Sequence, residues 1–547
     1  MRTSVPGLAR LALAAAVALA VSCGTGDPAA PATAAEPSAS AEAAAARATP
    51  APGAADVPYT LTLDPFAVPG LPGLHSFAYA GEASRLVLLA GRTNGLHGFA
   101  PSREAAEFPS FPREFANDTV YVVDLPGGRL LGSAPVGDLP APYAEQFQSS
   151  NPQWLAADGW LYLIGGYGEA PGSPEGLITL PWITVVDLEA LISTVTGGGA
   201  LDQAFADAHM ASVEHPALAI TGGEAEALDG RLLLMWGHRF DGEYAPGGGQ
   251  AYQEYSNSVR VFTVAASRQG SGVALDLDFL GTVPSNTQRP PDNPYHRRDL
   301  SVRPAVDPSG APRIAAYGGV FKGGRQEGYL NPLYVTAGGG PAGPGCVAGL
   351  GIQVCEDTAA VQLLSQYDTA TVPVWSASRG AMYTSFFGGI SGYYWDPACS
   401  CLRRDAVDVA NGIDSLPFVD SVSTLRVTAG GSAQFLHVGR SFPPAGGAPE
   451  CAGSGGPVAA RFLGAEGHFV AAAGVPDADG VLDLDAIAAP TVVGYVVGGI
   501  AAWCPGDAPN CYASTQGGSC ASNLIYRVTL DPGTPTETVP LTAPAGG

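Results

Sequence analysis

The feature that most constrains this chain is a segment that recurs six times. Each copy is an apolar run that ends in small residues, usually two glycines. The copies are LVLLAG (86–91), LYLIGG (161–166), LLLMWG (232–237), RIAAYGG (313–319), YTSFFGG (383–389) and VGYVVGG (493–499). Downstream of each lies a second strand-like segment, at 117–125, 182–188, 257–262, 331–335, 421–427 and 523–530. Six copies of one unit predict a repeat architecture in which every unit buries its apolar face against its neighbours.

The composition favours strands over helices. Only 14% of the 547 residues are charged and four are methionine, so the residues that build solvated helices are scarce. We expect minor helices at 188–195 and 201–210, separated by the glycines at 197–199. The formal net charge of -24 at pH 7 disfavours a surface that follows phosphates. No nucleic-acid partner is expected.

The repeat resembles that of kelch-type β-propellers, which belong to the galactose oxidase/kelch-like superfamily. Kelch units carry an apolar strand ending in Gly-Gly and then a strand of the type N-D-x-Y-x-x-D, to which NDTVYVVD at 117–124 is similar. The resemblance covers about residues 58–535 and implies an all-β, six-bladed propeller. Two copies depart from the doublet, with Ala90 and Trp236 in place of the first glycine. The units are 70 to 110 residues apart, against about 50 in compact kelch repeats, which predicts long loops.

A propeller must also close its ring. The segment YTLTLDPF (59–66) looks like NLIYRVTLDP (523–532), since both alternate and both contain L-D-P. We therefore predict that the N-terminal strand joins the last blade as its outer strand, which leaves no open sheet edge. The alternative is a separate cap strand. Residues 536–547 are expected to be a C-terminal tail.

The N-terminal sequence predicts where the protein is located. Residues 1–22 are typical of a signal peptide, because Arg2 and Arg10 accompany an apolar run of eleven residues that is too short to span a bilayer. The run ends in a sequence that resembles a bacterial lipobox, which implies lipidation of Cys23; simple secretion is the alternative. Residues 23–57 are rich in Ala and Pro and predict a disordered tether. We expect an outer-membrane lipoprotein of the cell envelope, periplasmic or surface-exposed, that touches the membrane through its lipid anchor only.

Eight further cysteines lie in the C-terminal 40% of the chain. An even number in a secreted chain fits up to four disulfides, and their pairing cannot be deduced from sequence. The candidates are Cys346, Cys355, Cys399, Cys401, Cys451, Cys504, Cys511 and Cys520. We expect them to staple the long loops. A zinc site is disfavoured because the chain has no C-x-x-C pair.

The loops after the double glycines, and those leading into each inner strand, are expected near the mouths of the central channel. The basic, acidic and aromatic residues in these loops are the candidate binding residues: Arg92, His97, His238, Arg239, Asp241, Tyr244, His296, Arg297 and Arg298. Arginine forks suit acid groups, and tyrosine rings could stack on sugars. The alternative is that these residues brace the loops, with Arg239 paired to Asp241 and Arg298 paired to Asp299 of a neighbouring blade.

The leading functional hypothesis is a non-catalytic binding module for a glycan or protein ligand on this loop face. It assigns no catalytic residue, cofactor or metal. The alternative is a carbohydrate-acid mutarotase or isomerase, as the resemblance allows, in which His75 or His296 would act with Arg298. A copper radical oxidase of the same superfamily is disfavoured, because it needs a cysteine crosslinked to tyrosine and would leave an odd number of cysteines for disulfides.

Overall fold

The computed structural model describes residues 56–97, 111–170, 173–244, 252–287, 293–325, 327–338, 343–404, 416–453, 456–478, 480–504, 506–512 and 517–543. The predicted signal peptide, Cys23 and nearly all of the predicted tether lie outside these residues. Among the described residues, no helix is long and apolar enough to cross a membrane.

The chain forms six sheets that surround a central channel, which confirms the predicted all-β, six-bladed propeller. Their strands pair antiparallel, except that Val481–Asp483 pairs parallel with the strand Thr371–Ser376 of blade 5. From the inner to the outer strand, blade 1 comprises Ala78–Ala80, Leu86–Leu89, Thr119–Asp124 and Arg129–Pro135. Blade 2 comprises Gln153–Ala157, Trp160–Ile164, Trp182–Asp187 and Met210–Glu214. Blade 3 comprises Glu224–Leu228, Arg231–Met235, Val259–Gln269 and Gly272–Val283.

Blades 4 to 6 follow the same plan with additional strands. Blade 4 comprises Arg298–Val306, Pro312–Val320, Leu333–Ala337, Ile352–Glu356 and Cys346–Gly349. Blade 5 comprises Thr371–Ser376, Ala381–Phe387, Ser421–Thr428 and Gly431–Ser441, with Val481–Asp483 and Asp477–Ala478 added inside. Blade 6 comprises Phe462–Ala471, Thr491–Trp503, Leu524–Asp531 and Thr60–Ala67, with Gly518–Ala521 on its second strand.

The inserted loops carry the remaining elements. Five two-stranded hairpins or pairings are formed by Tyr167–Ala170 with Ser173–Thr179, His238–Asp241 with Tyr252–Tyr255, Tyr394–Asp396 with Cys401–Arg403, Phe418–Val419 with Asn510–Cys511, and Glu450–Gly453 with Gly456–Ala459. The helices are Tyr143–Phe147, Leu188–Thr196 and Gln203–His209. The last two match the prediction, and each begins at an aspartate whose side chain accepts a backbone N–H of the first turn.

The ring closes as predicted. The strand Thr60–Ala67 pairs antiparallel with Leu524–Asp531, from Thr60 opposite Asp531 to Ala67 opposite Leu524. The segment expected as a C-terminal tail instead contributes the strand Thr538–Pro540 to the outer edge of blade 5. Both chain ends are thereby held by backbone hydrogen bonds, and neither blade 5 nor blade 6 leaves its outermost repeat strand unpaired.

The double glycines have a steric cause. A Cβ atom on Gly388 would lie 1.9 Å from the carbonyl oxygen of Leu463 in the next blade, so no side chain fits. Both positions of the doublet also adopt left-handed φ values in every unit, which glycine tolerates best. Ala90 (φ 59°) and Trp236 (φ 57°) adopt the same conformation, so the two sequence departures keep the geometry of the turn.

The hydrophobic core lies between the blades. Val372 and Phe387 of blade 5, for example, pack with Val493 and Tyr526 of blade 6, and all four side chains are fully buried. This face-to-face packing fixes each inner strand against the channel, so the residues that lead into the inner strands are held at defined positions around it.

The eight cysteines pair as loop staples. The disulfides are Cys346–Cys355, Cys399–Cys401, Cys451–Cys520 and Cys504–Cys511. Three close short loops, whereas Cys451–Cys520 joins residues 69 apart and ties the hairpin before blade 6 to the strand Gly518–Ala521. The sequence left this pairing open, and the predicted role as staples is confirmed.

Candidate functional site

The residue after each double glycine occupies an equivalent place at one mouth of the channel. Each one pairs with the residue that leads into, or lies at the start of, an inner strand. The six pairs are His75 with Arg92, Ser150 with Tyr167, Thr221 with His238, Arg298 with Val320, Tyr367 with Ile390, and Ala465 with Ile500. One periodic sequence position therefore supplies the upper layer of the channel wall.

This layer is divided by polarity. Blades 1 to 3 place Arg92, Tyr167 and His238 after the glycines, whereas blades 4 to 6 place Val320, Ile390 and Ile500 there. The three aliphatic side chains belong to one buried apolar cluster with Tyr367, Leu416, Phe418, Phe462 and Ala465. The cluster fills the mouth on the side of blades 5 and 6, so the polar opening lies towards blades 1 to 4.

That opening is a cavity, which we call the upper chamber. The empty space within it and at its open mouth together is about 610 Å³. Its lining includes His75, Ser76, Arg92, His97, Phe111, Ser150, Asn151, Tyr167, Thr221, Gly222, His238, Phe240, Tyr244, Arg298, Asp299, Glu466 and Ile500. In a chain with only 26 lysines and arginines and eight histidines, two arginines and three histidines on one cavity wall are a marked concentration of basic side chains.

Arg92 is the first of the two chamber arginines. Its side chain is 4% exposed and packs 5.0 Å from the ring centre of Phe111. Its Nε donates to Asn94 Oδ1 at 3.1 Å and its NH2 group donates to the Pro112 carbonyl at 2.8 Å. Burial lowers the pKa of Arg92 to about 10, so the guanidinium is still charged at neutral pH.

Arg298 is held by two side chains of blade 3. It donates to His238 Nε2 at 2.9 Å and to the Tyr244 hydroxyl at 2.7 Å, and its Nε lies 3.4 Å from Asp299 Oδ2. Burial, followed by the charge of Arg298, lowers the pKa of His238 well below its ordinary value. His238 is therefore neutral at pH 7 and accepts a hydrogen bond from the guanidinium, which leaves the positive charge on Arg298.

Aromatic rings form the outer wall of the upper chamber. His97 stacks on Phe111 with 5.1 Å between ring centres and meets Tyr244 edge-on at 4.5 Å. Phe111 also meets Tyr167 edge-on at 5.1 Å. These rings come from blades 1, 2 and 3 and pack against one another, so they offer a preformed apolar surface beside the two arginines.

A ring of six residues forms the floor of the upper chamber, and we call it the waist. Each blade contributes one residue with a left-handed φ: Ser76 (54°), Asn151 (48°), Gly222 (61°), Asp299 (52°), Asp368 (42°) and Glu466 (56°). Left-handed backbone is uncommon outside glycine, so its appearance at the same position of all six blades marks a requirement of the fold. Backbone hydrogen bonds join the members in pairs, from Asn151 N–H to the Ser76 carbonyl and from Asp299 N–H to the Gly222 carbonyl.

The waist carries three carboxyl groups with different surroundings. Glu466 Oε2 accepts from His75 Nδ1 at 2.8 Å and from the Ser76 hydroxyl. Asp299 lies over Gly222, where a Cβ atom would come within 2.4 Å of Asp299 Oδ1. Burial, and then the charges of Glu466, Asp299 and Glu224, raise the pKa of Asp368 well above its ordinary value. Burial likewise raises the pKa of Asp299 to about 6, against the opposing charge of Arg298.

Below the waist lies a second cavity, the lower chamber. The empty space within it and at its opening together is about 350 Å³. Its lining includes four carboxyl groups and no lysine or arginine among the described residues. Glu224, at the start of the inner strand of blade 3, faces this chamber, and burial raises its pKa to about 8. Burial also lowers the pKa of His468 on the same lining to about 3, so that imidazole is neutral. The channel thus changes from basic at its mouth to acidic below the waist.

The raised pKa of Glu224 predicts a pH-dependent gain in stability for Glu224→Gln. Because the folded state holds the Glu224 proton to about pH 8 and the unfolded state releases it near pH 4.5, ionisation costs folding free energy as the pH rises. The full shift corresponds to about 3 kcal/mol at pH 7, and channel water should reduce this to about 1 to 2 kcal/mol. Urea unfolding should show the variant more stable at pH 7 and unchanged at pH 4. An equal change in unfolding free energy at pH 7 and pH 4 would contradict the raised pKa of Glu224.

The structure brings five of the nine candidate binding residues together and places four elsewhere. Arg92, His97, His238, Tyr244 and Arg298 line the upper chamber. The other four are Arg239, Asp241, His296 and Arg297, none of which is in the described lining of either chamber. The mutarotase hypothesis had combined His75 or His296 with Arg298, and only His75 lies on the chamber with that arginine.

Two of the four outlying residues form the local pair considered as the alternative. Arg239 lies 2.6 Å from Asp241 Oδ2, its side chain is 45% exposed, and it packs over Tyr252. Asp241 Oδ1 also accepts from the backbone N–H of Thr179, so the pair braces two loop hairpins. The predicted pair of Arg298 with Asp299 also exists, but the two residues are consecutive in blade 4 and do not join neighbouring blades.

His296 and Arg297 support the backbone behind the chamber. Arg297 is fully buried, donates to the carbonyl oxygens of Pro294 and Gly318 at 2.8 and 2.9 Å, and stacks on Tyr329. The ring of His296 stacks on Tyr255 with 3.8 Å between centres. His296 and Arg297 therefore brace the fold, whereas the next residue, Arg298, lines the chamber.

Sequence reasoning missed the waist and part of the chamber. Asn151, Asp368 and Glu466 had no assigned role, and Asp299 was considered only as a partner of Arg298. Asn151 and Asp368 lie just before an inner strand, whereas Asp299 and Glu466 lie within one. The available signal was positional, since the residue after each double glycine and the residue before each inner strand recur with the repeat. The disulfides also use all eight described cysteines, which leaves none of them for a thioether to tyrosine.

Comparisons with known proteins identify neither a family nor a function for this chain. No family model matches the sequence, and no curated protein matches it. Among solved structures, one described as "Structure of YjhT" aligns with 85% of this chain and 99% of its own at 10% sequence identity and a TM-score of 0.38. The six-bladed β-propeller is established by the strand order of this chain itself, and the chemistry of its ligand has to be inferred from the chamber.

Proposed function

We propose that this protein is a binding module that takes up an acidic, hydroxylated ligand, such as a sugar acid, in the upper chamber. The observation that carries the proposal is the pair of buried guanidinium groups, Arg92 and Arg298, on one cavity beside an aromatic wall. Arginine binds carboxylates in a fork, and buried charge-assisted hydrogen bonds are the strong ones. The packed rings of Phe111, His97 and Tyr244 offer a surface on which a sugar ring can lie.

The acid preference is tested by titration of the purified chain with galacturonic acid and with galactose. The two sugars differ in one carboxylate. We expect galacturonic acid to bind and galactose to bind at least tenfold more weakly, because only the acid can occupy the arginine forks. Equal affinities, or no binding of either sugar, would count against an acid-binding chamber.

The sequence supports an envelope setting for this module. The lipobox-like sequence at Cys23 and the Ala/Pro-rich segment that follows it are typical of lipoproteins, and the double-glycine units are typical of kelch repeats. We therefore place the proposed binding module in the kelch class and on a lipid anchor at the outer membrane. Labelling with radioactive palmitate, compared between the chain and Cys23→Ala, tests the anchor separately from ligand binding.

A second function, carbohydrate-acid isomerisation, is favoured by one specific contact. His75 Nδ1 hydrogen-bonds to Glu466, and no described group lies within hydrogen-bond distance of His75 Nε2. A carboxylate-oriented imidazole on the lining of a ligand cavity is an arrangement suited to general acid–base catalysis. An NMR measurement of the anomer exchange rate of galacturonic acid, with and without the protein, distinguishes the two functions.

A further inference from the structure

The waist and His75 present hydrogen-bond acceptors to the bottom of the upper chamber. Asp299 and Glu466 are carboxylic acids on its lining, and Asp368 adds a third carboxyl at the same level of the channel. A carboxylate oxygen accepts, so His75 Nδ1 donates in its pair with Glu466, and in the neutral imidazole Nε2 is then an acceptor. His75 is 4% exposed and lines the chamber, and no described group hydrogen-bonds to its Nε2.

A ligand group that fits against the three acceptors on the chamber lining, Asp299, Glu466 and His75, must supply donors. A primary ammonium has three N–H donors, a positive charge and no acceptor, whereas a hydroxyl supplies one donor. A divalent metal ion is the other candidate cation, but the described residues include no group of three His, Cys, Asp or Glu side chains arranged to hold one. The acceptors therefore fit an ammonium group, because each of its N–H donors can bond to one acceptor separately.

The acceptor floor lies next to the arginine wall. Arg298 and Asp299 are consecutive residues, and consecutive Cα atoms are about 3.8 Å apart. Arg298 Nε and Asp299 Oδ2 are 3.4 Å apart, so a site for an anion and a site for a cation are contiguous on one wall. This spacing suits a compact molecule that carries both charges.

We propose that the ligand of the upper chamber is a zwitterion, an amino-sugar acid, whose carboxylate binds Arg92 and Arg298 and whose ammonium binds Asp299, Glu466 and His75 Nε2. The inference rests on the proposed function and names the ligand class of the same site. The aromatic wall would hold the sugar ring between the two charged groups. Acetylation of the amine should weaken binding, because it removes the charge and two donors and adds an acetyl group over the carboxylates.

The test compares muramic acid with N-acetylmuramic acid in titrations of the full chain. We expect muramic acid to bind at least tenfold more tightly, and we expect Glu466→Gln to reduce this preference to about twofold or less. Asp276→Asn makes the same kind of change at an exposed carboxylate on the outer strand of blade 3 and should leave both affinities unchanged.

Equal binding of the two probes, or tighter binding of the acetylated one, would overturn the zwitterion inference while leaving an acid-binding chamber intact. If neither probe nor galacturonic acid binds, the proposed function itself fails. The affinities of the unmodified chain for muramic acid and N-acetylmuramic acid already test the inference, so it stays testable even if Glu466→Gln does not fold.

Discussion

Replacing both Arg92 and Arg298 with lysine is expected to weaken the binding of galacturonic acid by about a hundredfold or more. Each substitution keeps a positive charge but removes the planar fork that grips a carboxylate. A hydrogen bond to a charged group contributes about 1.5 to 3 kcal/mol, so losing one on each side costs about 3 to 6 kcal/mol in total. Titration calorimetry of the double variant measures the loss directly.

The matched control is Arg239→Lys. Arg239 was also a candidate from the sequence, but it pairs with Asp241 at the surface, away from the described chamber lining. We expect this variant to change the affinity less than about twofold, since exposed ion pairs contribute little. If Arg239→Lys weakened binding as strongly as the double variant, the ligand would be bound by the outer hairpins and the chamber assignment would be wrong.

Removing the Cys451–Cys520 disulfide is expected to cause the largest loss of stability among the four staples. The bond closes a loop of 69 residues, and the chain-entropy model assigns such a loop about 4 kcal/mol. Replacing both cysteines with alanine should lower the free energy of unfolding by about this amount, because the unfolded chain becomes far less restricted. Guanidinium unfolding followed by tryptophan fluorescence measures the change.

The control is the double alanine variant at Cys399 and Cys401. These cysteines are only two residues apart, so the same model assigns their loop about 1 kcal/mol. A similar loss of stability in both double variants would show that the disulfides act through native contacts and not through the unfolded chain. In that case the long-range bond would have no special role in holding blade 6.

The propeller could be predicted because its repeat is dictated by local stereochemistry. A side chain on Gly388 would collide with the next blade, and both residues of every doublet need left-handed backbone, so glycine recurs at a fixed place in each unit. The closing strand was recognisable because Thr60–Ala67 has the same alternation as its partner strand. Both the glycine doublet and the alternation can be recognised within short stretches of sequence, without knowing which distant residues they contact.

The chamber was only partly predictable because its residues meet through ring closure. His75, His238 and Arg298 come from three blades and are separated by 163 and 60 residues in the chain. Arg297 and Arg298 also look alike in sequence, yet Arg297 lies just before the inner strand and braces the backbone, whereas Arg298 begins that strand and lines the chamber. Telling them apart requires the register of the strand, which one sequence does not supply.

The waist escaped prediction for a different reason. Asp299, Asp368 and Glu466 adopt left-handed backbone without glycine at those positions, so the usual sequence marker was missing. Their shared position becomes visible only when the six units are aligned on their inner strands. Aligning the units would also have exposed the contrast between Arg92, Tyr167 and His238 on one side of the mouth and three aliphatic residues on the other.

The most direct test of the central claim is a crystal structure of the protein with galacturonic acid bound. We predict electron density for the sugar in the upper chamber, with its carboxylate oxygens about 3 Å from the guanidinium nitrogens of Arg92 and Arg298 and its ring against the aromatic wall. A structure in which the sugar occupies another surface, while the upper chamber holds only water, would contradict the assignment of this chamber as the binding site.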